Sequence, residues 1–384
     1  MSAVLRVVLD QVVSPTDADL AMASRELARA LVASTPSGCE VAAIVPSGAD
    51  VAGTVEGAVP GLASLARMPL ARRELAVAWQ LGVAPGVGGG MIHSPTLLAP
   101  LVKHDRVHEH DQTVVTLWDL DAWERPSELP RTVVSRNRAM LKRAAKHADA
   151  VVVPTHAAAE RLSELGPFGD RVRVVAGAAP AGFAVPTDEI GRRRALDLPD
   201  GCLVVAGSSG PSSRLRAVFA AVARAGADLP VVVLDVPEGD EIAVADLAAA
   251  GGLGEGRVLV RGALTDADRA AVLGGAVALL APSSRTAFPW RVVEALAIGV
   301  PVVAVASPTH REIVLDGGLL VDDPQAQGAV GDEDSLADAL SDGLARVLGS
   351  TAAVERFAVL AGDRGRAFSW LGAAERVWQL HADL

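Results

Sequence analysis

The sequence predicts a doubly wound α/β fold, in which parallel strands are buried between layers of helices. Short valine-rich runs alternate with segments of helical period along most of the 384 residues. Continuous apolar runs of this kind are typical of parallel strands covered on both faces. The alternation restarts in the second half, and the length fits two domains. We therefore predict two doubly wound domains in tandem.

The first predicted domain, residues 1–180, is Rossmann-like. Its strands are predicted at residues 4–9, 40–45, 90–93, 113–117, 150–153 and 172–175. Its helices are predicted at about residues 17–33, 132–147 and 157–165. Each of these helices follows a strand, as parallel pairing requires.

A Gly- and Pro-rich stretch without a strand pattern, residues 177–199, predicts the joint between the domains. The run Arg192–Arg194 within it is interpreted as a solvated helix face, with a phosphate clamp as the alternative. The second Rossmann-like domain is predicted over residues 181–365. Its strands are predicted at residues 203–206, 231–235, 258–260, 278–281 and 302–306, with helices beginning near Arg214 and Arg291.

Composition excludes several classes of protein. A net charge of −11 and a pI near 5.2 argue against a general nucleic-acid binder, which needs a basic surface. The two cysteines, Cys39 and Cys202, lie far apart and lack metal-ligand spacing, so neither a disulfide nor a zinc site is expected. Neither a signal peptide nor a membrane-spanning run is visible. We expect a cytoplasmic protein.

The most informative segment, residues 281–301, reads APSSRTAFPWRVVEALAIGVP. A predicted strand ends there, a short polar loop follows, and a helix begins near Trp290. Ligands of open α/β sheets bind beyond the carboxyl ends of strands, where helix N-termini attract phosphate. We predict an anion site, with an ordinary strand, turn and amphipathic helix as the alternative. Its predicted residues are Phe288, Pro289, Trp290 and Arg291.

Glu294 and the following ALAIGVPVV resemble the second half of the signature of retaining glycosyltransferases of family 4, which have the GT-B fold. In that signature a Glu, seven intervening residues and a second Glu precede the apolar run. The resemblance implies that Glu294 binds the nucleotide ribose. Thr286 occupies the position of the first Glu, which contacts the donor sugar. A hydroxyl is a weaker acceptor than a carboxylate, so the donor-sugar contact of Thr286 stays open.

The resemblance extends over nearly the whole chain. The segments MIHSPTLLAPL, VVTLWDLDAWERP, ADAVVVPTHAAAERL and RVRVVAGAAPAGF follow the family's order, and FSWLGAAERVWQL is similar to its closing helix. This order implies a GT-B protein with two Rossmann-like domains facing a central cleft. It also implies that residues 366–384 form a helix that returns to the first domain.

Two further departures from the family affect the predicted site. Trp118 and Asp119 stand where the family commonly has His-Asp, and the Arg-Lys pair that binds the donor diphosphate would fall near Ser212 and Ser213. Arg214 and Arg216 are close enough to substitute for that pair, and Arg suits phosphate. The predicted catalytic residues are Trp118, Asp119 and Thr286. The remaining predicted donor-binding residues are Ser209, Gly262 and Leu264, the last two through backbone that selects the base.

The triplet Asp119–Asp121 has the DxD form with which other glycosyltransferases bind a metal and a diphosphate. The same form recurs at residues 17–19 and 266–268, so it carries little information in an acidic chain. We expect neither a metal nor a cofactor, since the nucleotide sugar is a co-substrate. Asp121 and Trp123 are the predicted acceptor residues, with a solvated loop as the alternative for Asp121.

The predicted helix over residues 132–147 carries Arg138, Lys142 and Lys146 at spacings of four, which places them on one stripe. Such a stripe suits peripheral contact with an anionic lipid surface or an acidic acceptor. A solvated face is the competing interpretation.

The resemblance implies metal-independent, retaining transfer of a hexose from a nucleoside diphosphate sugar to a carbohydrate or glycolipid hydroxyl. The chain has only three lysines and one asparagine, which indicates a G+C-rich, actinobacterial type of source. The resemblance and this source make GDP-mannose the first expected donor and polysaccharide biosynthesis the expected context. UDP-glucose and related donors remain open. Two alternatives also stay open: a catalytically degenerate GT-B partner subunit, for which the changes at Trp118, Ser212–Ser213 and Thr286 argue, and a sugar-nucleotide epimerase.

Overall fold

The computed structural model describes residues 3–84, 86–323 and 333–384. The chain divides into two compact units. The N-terminal unit comprises the residues up to Gly177 together with Ser369–Leu384, and the C-terminal unit comprises Ala178–Phe368. None of the described helices is both long and apolar enough to span a bilayer.

The N-terminal unit contains a seven-stranded parallel sheet flanked by helices. Its strands are β1 (Ala3–Val8), β2 (Cys39–Ser47), β3 (Ser64–Ala71), β4 (Met91–Ser94), β5 (Gln112–Thr116), β6 (Ala150–Val153) and β7 (Val172–Val174). Its helices are α1 (Asp10–Val13), α2 (Ala18–Ala33), α3 (Val51–Ala58), α4 (Arg72–Gln80), α5 (Asp121–Glu124), α6 (Arg131–His147), α7 (His156–Leu165) and α16 (Trp370–Asp383). The strand order is β3-β2-β1-β4-β5-β6-β7.

Helix α16 is the last helix of the chain and packs in the N-terminal unit against α2. Ser369 caps it by accepting a hydrogen bond from the amide of Gly372. The indole nitrogen of Trp378 donates to the Leu31 carbonyl at 3.2 Å, and Trp370 meets the ring of Trp118 edge-on at 6.1 Å. Its buried aromatic face therefore completes the core of this unit.

The C-terminal unit contains a six-stranded parallel sheet. Its strands are β8 (Cys202–Ala206), β9 (Val231–Leu234), β10 (Val258–Val260), β11 (Ala276–Ala281), β12 (Val302–Val305) and β13 (Leu319–Val321). Its helices are α8 (Glu189–Ala195), α9 (Leu215–Arg224), α10 (Glu241–Ala250), α11 (Asp266–Gly274), α12 (Trp290–Ala297), α13 (Pro308–Val314), α14 (Glu333–Leu348) and α15 (Thr351–Gly365). The strand order is β10-β9-β8-β11-β12-β13. Both units are thus doubly wound α/β structures, as predicted.

Two edge strands, β3 and β13, were absent from the predicted set. The sequence of β3, SLARMPLA, contains Arg67 and Pro69 and lacks a valine-rich run. Proline is tolerated there because an edge strand pairs on one side only. The three-residue β13 is too short to show a pattern.

The interpretation of Arg192–Arg194 as a uniformly solvated face is wrong for Arg193. This side chain is buried and pairs with Glu189 at 2.9 Å and with Asp200 at 3.2 Å. Its guanidinium also packs against Gly275, where a Cβ would clash. Arg193 therefore fastens α8 to the rest of the C-terminal unit and is not available as a phosphate clamp.

Each sheet reverses its strand order once. The reversal lies between β1 and β4 in the N-terminal unit and between β8 and β11 in the C-terminal unit. In open α/β sheets the crevice at the carboxyl ends of such a strand pair is the usual ligand site. The loops at these two reversal points are therefore the expected ligand-binding regions.

Candidate functional site

Arg214 connects the two loops at the reversal point of the C-terminal sheet. It stands in the left-handed region, with φ of 50°, immediately before α9. Its guanidinium donates to the carbonyl of Pro282, in the loop after β11, at 3.4 Å. It also pairs with the buried carboxylate of Asp323 at 3.0 Å. Arg214, the predicted substitute for the cationic pair that would fall at Ser212 and Ser213, thus has its charge already matched by an internal carboxylate.

The loop after β8 folds back on itself because Gly207 lacks a side chain. Gly207 has φ of 152°, and a Cβ on it would lie 2.8 Å from that of Ser213. The Ser213 hydroxyl accepts from the amide of Ser208 at 3.0 Å. The amide and hydroxyl of Ser209 both donate to the carboxylate of Asp240, each at 2.6 Å. These hydrogen bonds lower the pKa of Asp240. The donors of Ser209 therefore already hold an anionic group.

Glu294 is the centre of a buried ion-pair network. It is 0% exposed, and Arg269 donates to both of its oxygens, at 2.8 Å each. Arg291 donates to the same carboxylate at 2.6 Å and to Asp235 at 2.7 Å. Arg269 also pairs with Asp266 at 2.9 Å. Three carboxylates thus face two guanidiniums, for a formal sum of −1.

This network changes the predicted roles of two residues. Arg291 was predicted to be a fixed cation for phosphate, but its guanidinium is shared between Asp235 and Glu294. The ribose role of Glu294 requires a ligand hydroxyl to join or replace these arginine contacts. Arg269 was missed because its partner lies on a different helix, α12, and only the fold brings the two together.

The residues before α12 pack more tightly than predicted. Phe288 and Pro289 are buried, and Phe288 meets Trp290 edge-on at 4.6 Å. Phe288 is therefore a packing residue, and the expected apolar surface falls mainly to the partly exposed Trp290. Thr286 is half-buried and has no hydrogen-bond partner among the described residues, which leaves its hydroxyl available.

The backbone around Gly262 forms an exposed edge beside the Glu294 network. The Arg261 carbonyl accepts from the amide of Val236 at 3.2 Å, and the Leu264 carbonyl accepts from Arg269 at 3.2 Å. Between them Gly262 and Ala263 are exposed, and their peptide groups have no partner within the described part of the chain. These groups can hydrogen-bond a planar heterocycle.

Arg216 is the second residue of α9, and its side chain contacts another helix of the same unit. Its guanidinium forms an ion pair with Glu333, the first residue of α14. Like Arg214, it is therefore paired with a carboxylate inside the C-terminal unit.

In the N-terminal unit, Trp118 packs in the interior. Its side chain is buried, its indole nitrogen donates to the Pro95 carbonyl at 2.9 Å, and its ring lies against Trp370. The prediction of a catalytic Trp118 is therefore not supported by its position. Trp123 is half-buried within α5.

Asp119 follows β5 at the carboxyl edge of the N-terminal sheet. Its side chain accepts from the amide of Asp121 at 3.1 Å, and Asp121 pairs with Arg125 at 2.5 Å. Burial, together with the negative charges of Asp121 and Asp17, raises the pKa of Asp119 to about 6. Asp119 and Asp121 thus differ in their partners: the Asp121 carboxylate pairs with a guanidinium, whereas the Asp119 carboxylate accepts from a backbone amide.

Asp10 lies at the reversal point between β1 and β4, and no sequence motif predicts it. It is fully buried and pairs through one oxygen with Arg72 at 2.8 Å and Gln11 at 3.1 Å. Its other oxygen has no partner among the described residues. Burial raises the pKa of Asp10, against the opposing effect of Arg72.

No metal-binding cluster is present in the described ranges 3–84, 86–323 and 333–384. That search covers groups of three or more His, Cys, Asp or Glu side chains. The DxD triplet Asp119–Asp121 instead forms the hydrogen bond and ion pair described above.

Comparison with known proteins identifies the fold and a partial family match. Residues 202–346, within the C-terminal unit, match the family model described as "Glycosyl transferases group 1". No curated protein sequence matches the chain.

Similar solved structures cover nearly the whole chain. Sucrose-phosphate synthase from Thermosynechococcus elongatus is 19% identical over 99% of this chain and 98% of its own, with a TM-score of 0.69. Anabaena HepE in complex with UDP and glucose is 17% identical over 100% of both chains, also with a TM-score of 0.69. WaaG, a glycosyltransferase involved in lipopolysaccharide biosynthesis, is 13% identical over 97% of this chain and 98% of its own, with a TM-score of 0.65. The likeness shows two parallel-sheet, Rossmann-like units matching GT-B glycosyltransferase structures, the predicted fold class.

Proposed function

We propose that this protein is a glycosyltransferase that moves a hexose from a nucleoside diphosphate sugar to a hydroxyl of a glycan or glycolipid. One observation carries the proposal. The segment that matches the group 1 family model, residues 202–346, contains the loops at the β8/β11 reversal point and the buried network around Glu294. The comparison structures, all below 25% identity, support the fold on which this function rests.

For the donor we keep two candidates. GDP-mannose follows from the resemblance and composition, whereas UDP-glucose is favoured by the HepE structures in complex with UDP-glucose or with UDP and glucose. The exposed peptide groups of Gly262 and Ala263 are the proposed contacts of the base. A uracil and a guanine present different donor and acceptor edges to them, so the affinity for the two nucleotides should differ.

The proposed chemistry relies on positioning and on charge stabilisation at the departing diphosphate. Ser209 and the N-terminus of α12 supply hydrogen-bond donors, and Arg214 and Arg291 supply positive charge that is shared with internal carboxylates. The diphosphate replaces the Asp240 carboxylate on Ser209. We propose retention of configuration without a metal, with the leaving phosphate taking the acceptor proton, while Asp119 and Asp121 hold acceptor hydroxyls.

Calorimetric titration tests this proposal directly. The purified protein is titrated with UDP, GDP, UDP-glucose and GDP-mannose, with and without a divalent metal. We expect one base to bind selectively without metal. Selective binding of UDP-glucose or GDP-mannose then defines which donor to use in transfer assays. Failure of all four to bind contradicts the proposal.

Substitution of Glu294 by Gln tests its place in the site. The change removes the fully buried carboxylate of the network and leaves the guanidiniums of Arg269 and Arg291 with the more exposed Asp266 and Asp235 as partners. Breaking a buried pair costs about 3–5 kcal/mol of unfolding free energy. We expect urea unfolding to show a loss of that order. We also expect weaker nucleotide binding under conditions where the variant is folded.

The matched control is Glu241→Gln, which removes an exposed carboxylate at the start of α10. It should change neither stability nor binding. If Glu294→Gln is destabilised but binds nucleotide as tightly as the unaltered protein, Glu294 is structural and the ribose role is wrong.

A second function, a non-catalytic GT-B partner subunit, is favoured by one observation. The three arginines predicted to neutralise the diphosphate, Arg214, Arg216 and Arg291, are each paired with an internal carboxylate. If the titrations show no diphosphate binding and the protein co-purifies with a second GT-B chain, this function replaces the first.

A further inference from the structure

A basic groove lies on helix α6 of the N-terminal unit, apart from the residues of the candidate functional site, and it includes Arg138 and Lys142 of the predicted basic stripe. It is a cavity of about 570 Å³ between the first three turns of α6 and the short turn at Pro126. The polar side chains that line it are Arg131, Ser135, Arg138 and Lys142. All four are exposed and share one face of the helix. We refer to this cavity as the α6 groove.

The α6 groove concentrates positive charge in an acidic protein. Helix α6 contains four arginines, two lysines and no acidic residue, whereas the whole chain carries a net charge of −11. Arg131, Arg138 and Lys142 have no ion-pair partner among the described residues. Arg125, just before α6, is by contrast paired with Asp121. Like charges gathered in a concave surface raise the local potential for anions.

Two features hold positive charge at the α6 groove: the anchoring of Arg138 and the N-terminal end of the helix. The Nε atom of Arg138 donates to the Ala122 carbonyl at 2.9 Å, which anchors the guanidinium and leaves its terminal nitrogens for a ligand. Arg131 is the first residue of α6, and Pro130 before it gives no side-chain cap. The helix therefore adds its positive N-terminal end to the charge of the side chains.

We propose that the α6 groove binds a phosphate group, carried by a soluble phosphate ester or by the headgroup of an anionic lipid. A guanidinium fork and an ammonium together match several oxygens of a phosphate, and the Ser135 hydroxyl adds a neutral donor. The volume accommodates a phosphate together with a small organic group. Because Arg138 also holds the Ala122 carbonyl in α5, the bound phosphate lies beside the turn that carries Asp121 and Trp123.

The test uses the full chain and a pair of matched variants. Arg138→Gln combined with Lys142→Gln removes two cations of the groove while keeping residues that favour a helix. Lys146→Gln removes an exposed cation from the same helix that does not line the groove. Glycerol 3-phosphate is titrated calorimetrically at constant ionic strength. Vesicles of phosphatidylcholine, with and without phosphatidylglycerol, are used for co-sedimentation.

We expect the double variant to lose affinity by about tenfold or more, because it removes two charged hydrogen-bond donors, and Lys146→Gln to bind like the unaltered protein. Loss of glycerol 3-phosphate binding identifies a soluble ester, and loss confined to phosphatidylglycerol vesicles identifies a lipid headgroup. Equal binding by the two variants, or no binding of either ligand by the unaltered protein, overturns the proposal. Nucleotide titration of the same variants reports on the proposed function separately.

Discussion

Three carboxylates at the carboxyl edges of the two sheets are shielded from water, Glu294 and Asp10 fully and Asp119 partly, and each is stabilised differently. Glu294 receives three hydrogen bonds from two guanidiniums. Asp10 has an arginine on one oxygen only. Asp119 has a backbone amide and two negative neighbours. Burial of a charged group is costly unless the charge is paired. The free-energy cost of the charged carboxylate therefore increases from Glu294 to Asp10 to Asp119.

Replacing Asp119 by Asn should therefore stabilise the protein at neutral pH. The pKa of Asp119 is raised to about 6, so the folded state holds a proton that the unfolded chain has released above pH about 4. The unfolding free energy contributed by this group falls as pH rises through that window. We expect Asp119→Asn to gain about 2 kcal/mol at pH 7.5 in urea unfolding, and much less at pH 4.

Glu109→Gln, in an exposed loop of the same unit, is the control and should show no such pH-dependent gain. An Asp119→Asn variant that is less stable than the unaltered protein at pH 7.5 would show that the carboxylate is held by favourable contacts. Transfer activity of the same variant, once a donor is known, reports whether this unfavourable charge is retained for binding an acceptor.

At the residue scale the sequence indicated which residues to consider for the site but not the side chains with which they form ion pairs. Glu294 was predicted because its neighbours follow a family pattern, and Arg291 because it lies at a helix N-terminus beyond a strand. Arg269 and Asp235, which complete the same network, lie on other elements. Side-chain pairing across elements depends on the packing of helices on the sheet, which local periodicity does not encode.

At the scale of elements, helix α16 is fastened by a buried pair of histidines. His381 on α16 lies 5.6 Å from His93 on β4, ring centre to ring centre, and its Nδ1 atom is 2.8 Å from the Gln112 side chain. Gln112 in turn donates to the His381 carbonyl at 3.2 Å. Burial lowers the pKa of His381 to about 4 and that of His93 well below its ordinary value. Asp149 opposes this shift for His381.

Acidification should accordingly weaken the N-terminal unit. Below pH about 6.5 the unfolded chain binds protons at both histidines while the folded state does not, so stability is lost as pH falls toward 4. For His381 alone the loss reaches about 3 kcal/mol. Tryptophan fluorescence follows this unit well, because Trp290 is the only one of the six tryptophans that lies outside it.

The variant His381→Gln removes one titrating group. We expect it to be less stable at pH 7, since it loses packing, but to show a smaller decrease in unfolding free energy between pH 7 and 5. His108→Gln, in an exposed loop, should keep the full decrease. An unchanged slope for His381→Gln would mean that other groups cause the acid sensitivity.

The predictability of elements follows their burial. Central strands such as β6 and β8 are continuous valine-rich runs and were predicted from that pattern. The edge strand β3 needs neither a continuous apolar run nor a full set of amide donors, so its sequence resembles a loop. Alanine-rich helices such as α10 were missed because small side chains give weak periodicity.

At the scale of the whole molecule, the N-terminal unit is built from both terminal parts of the described chain. Residues 3–84 and 86–177 form its sheet and most of its helices, and α16 supplies the remaining helix. The tryptophans of α16 and its Val377 and Leu380 are buried. The C-terminal unit has a separate core, centred on residues such as Phe219 and Val303.

Deleting residues 369–384 should therefore unfold the N-terminal unit and spare the other. Burial of one large apolar side chain contributes about 1.5–3 kcal/mol. Helix α16 contributes several such side chains, so its loss is comparable to the whole margin of a domain that is stable by about 5–15 kcal/mol. Hydrogen exchange read by mass spectrometry measures each unit separately. We expect the amides of β4 and β5 to lose protection, while those of β8 and β11 keep it.

The control Leu371→Ser changes an exposed residue of the same helix and should leave both patterns intact. Protection of β4 and β5 in the truncated protein would show that α16 is dispensable for folding, whereas loss of protection in β8 and β11 as well would show that the C-terminal unit depends on the N-terminal one.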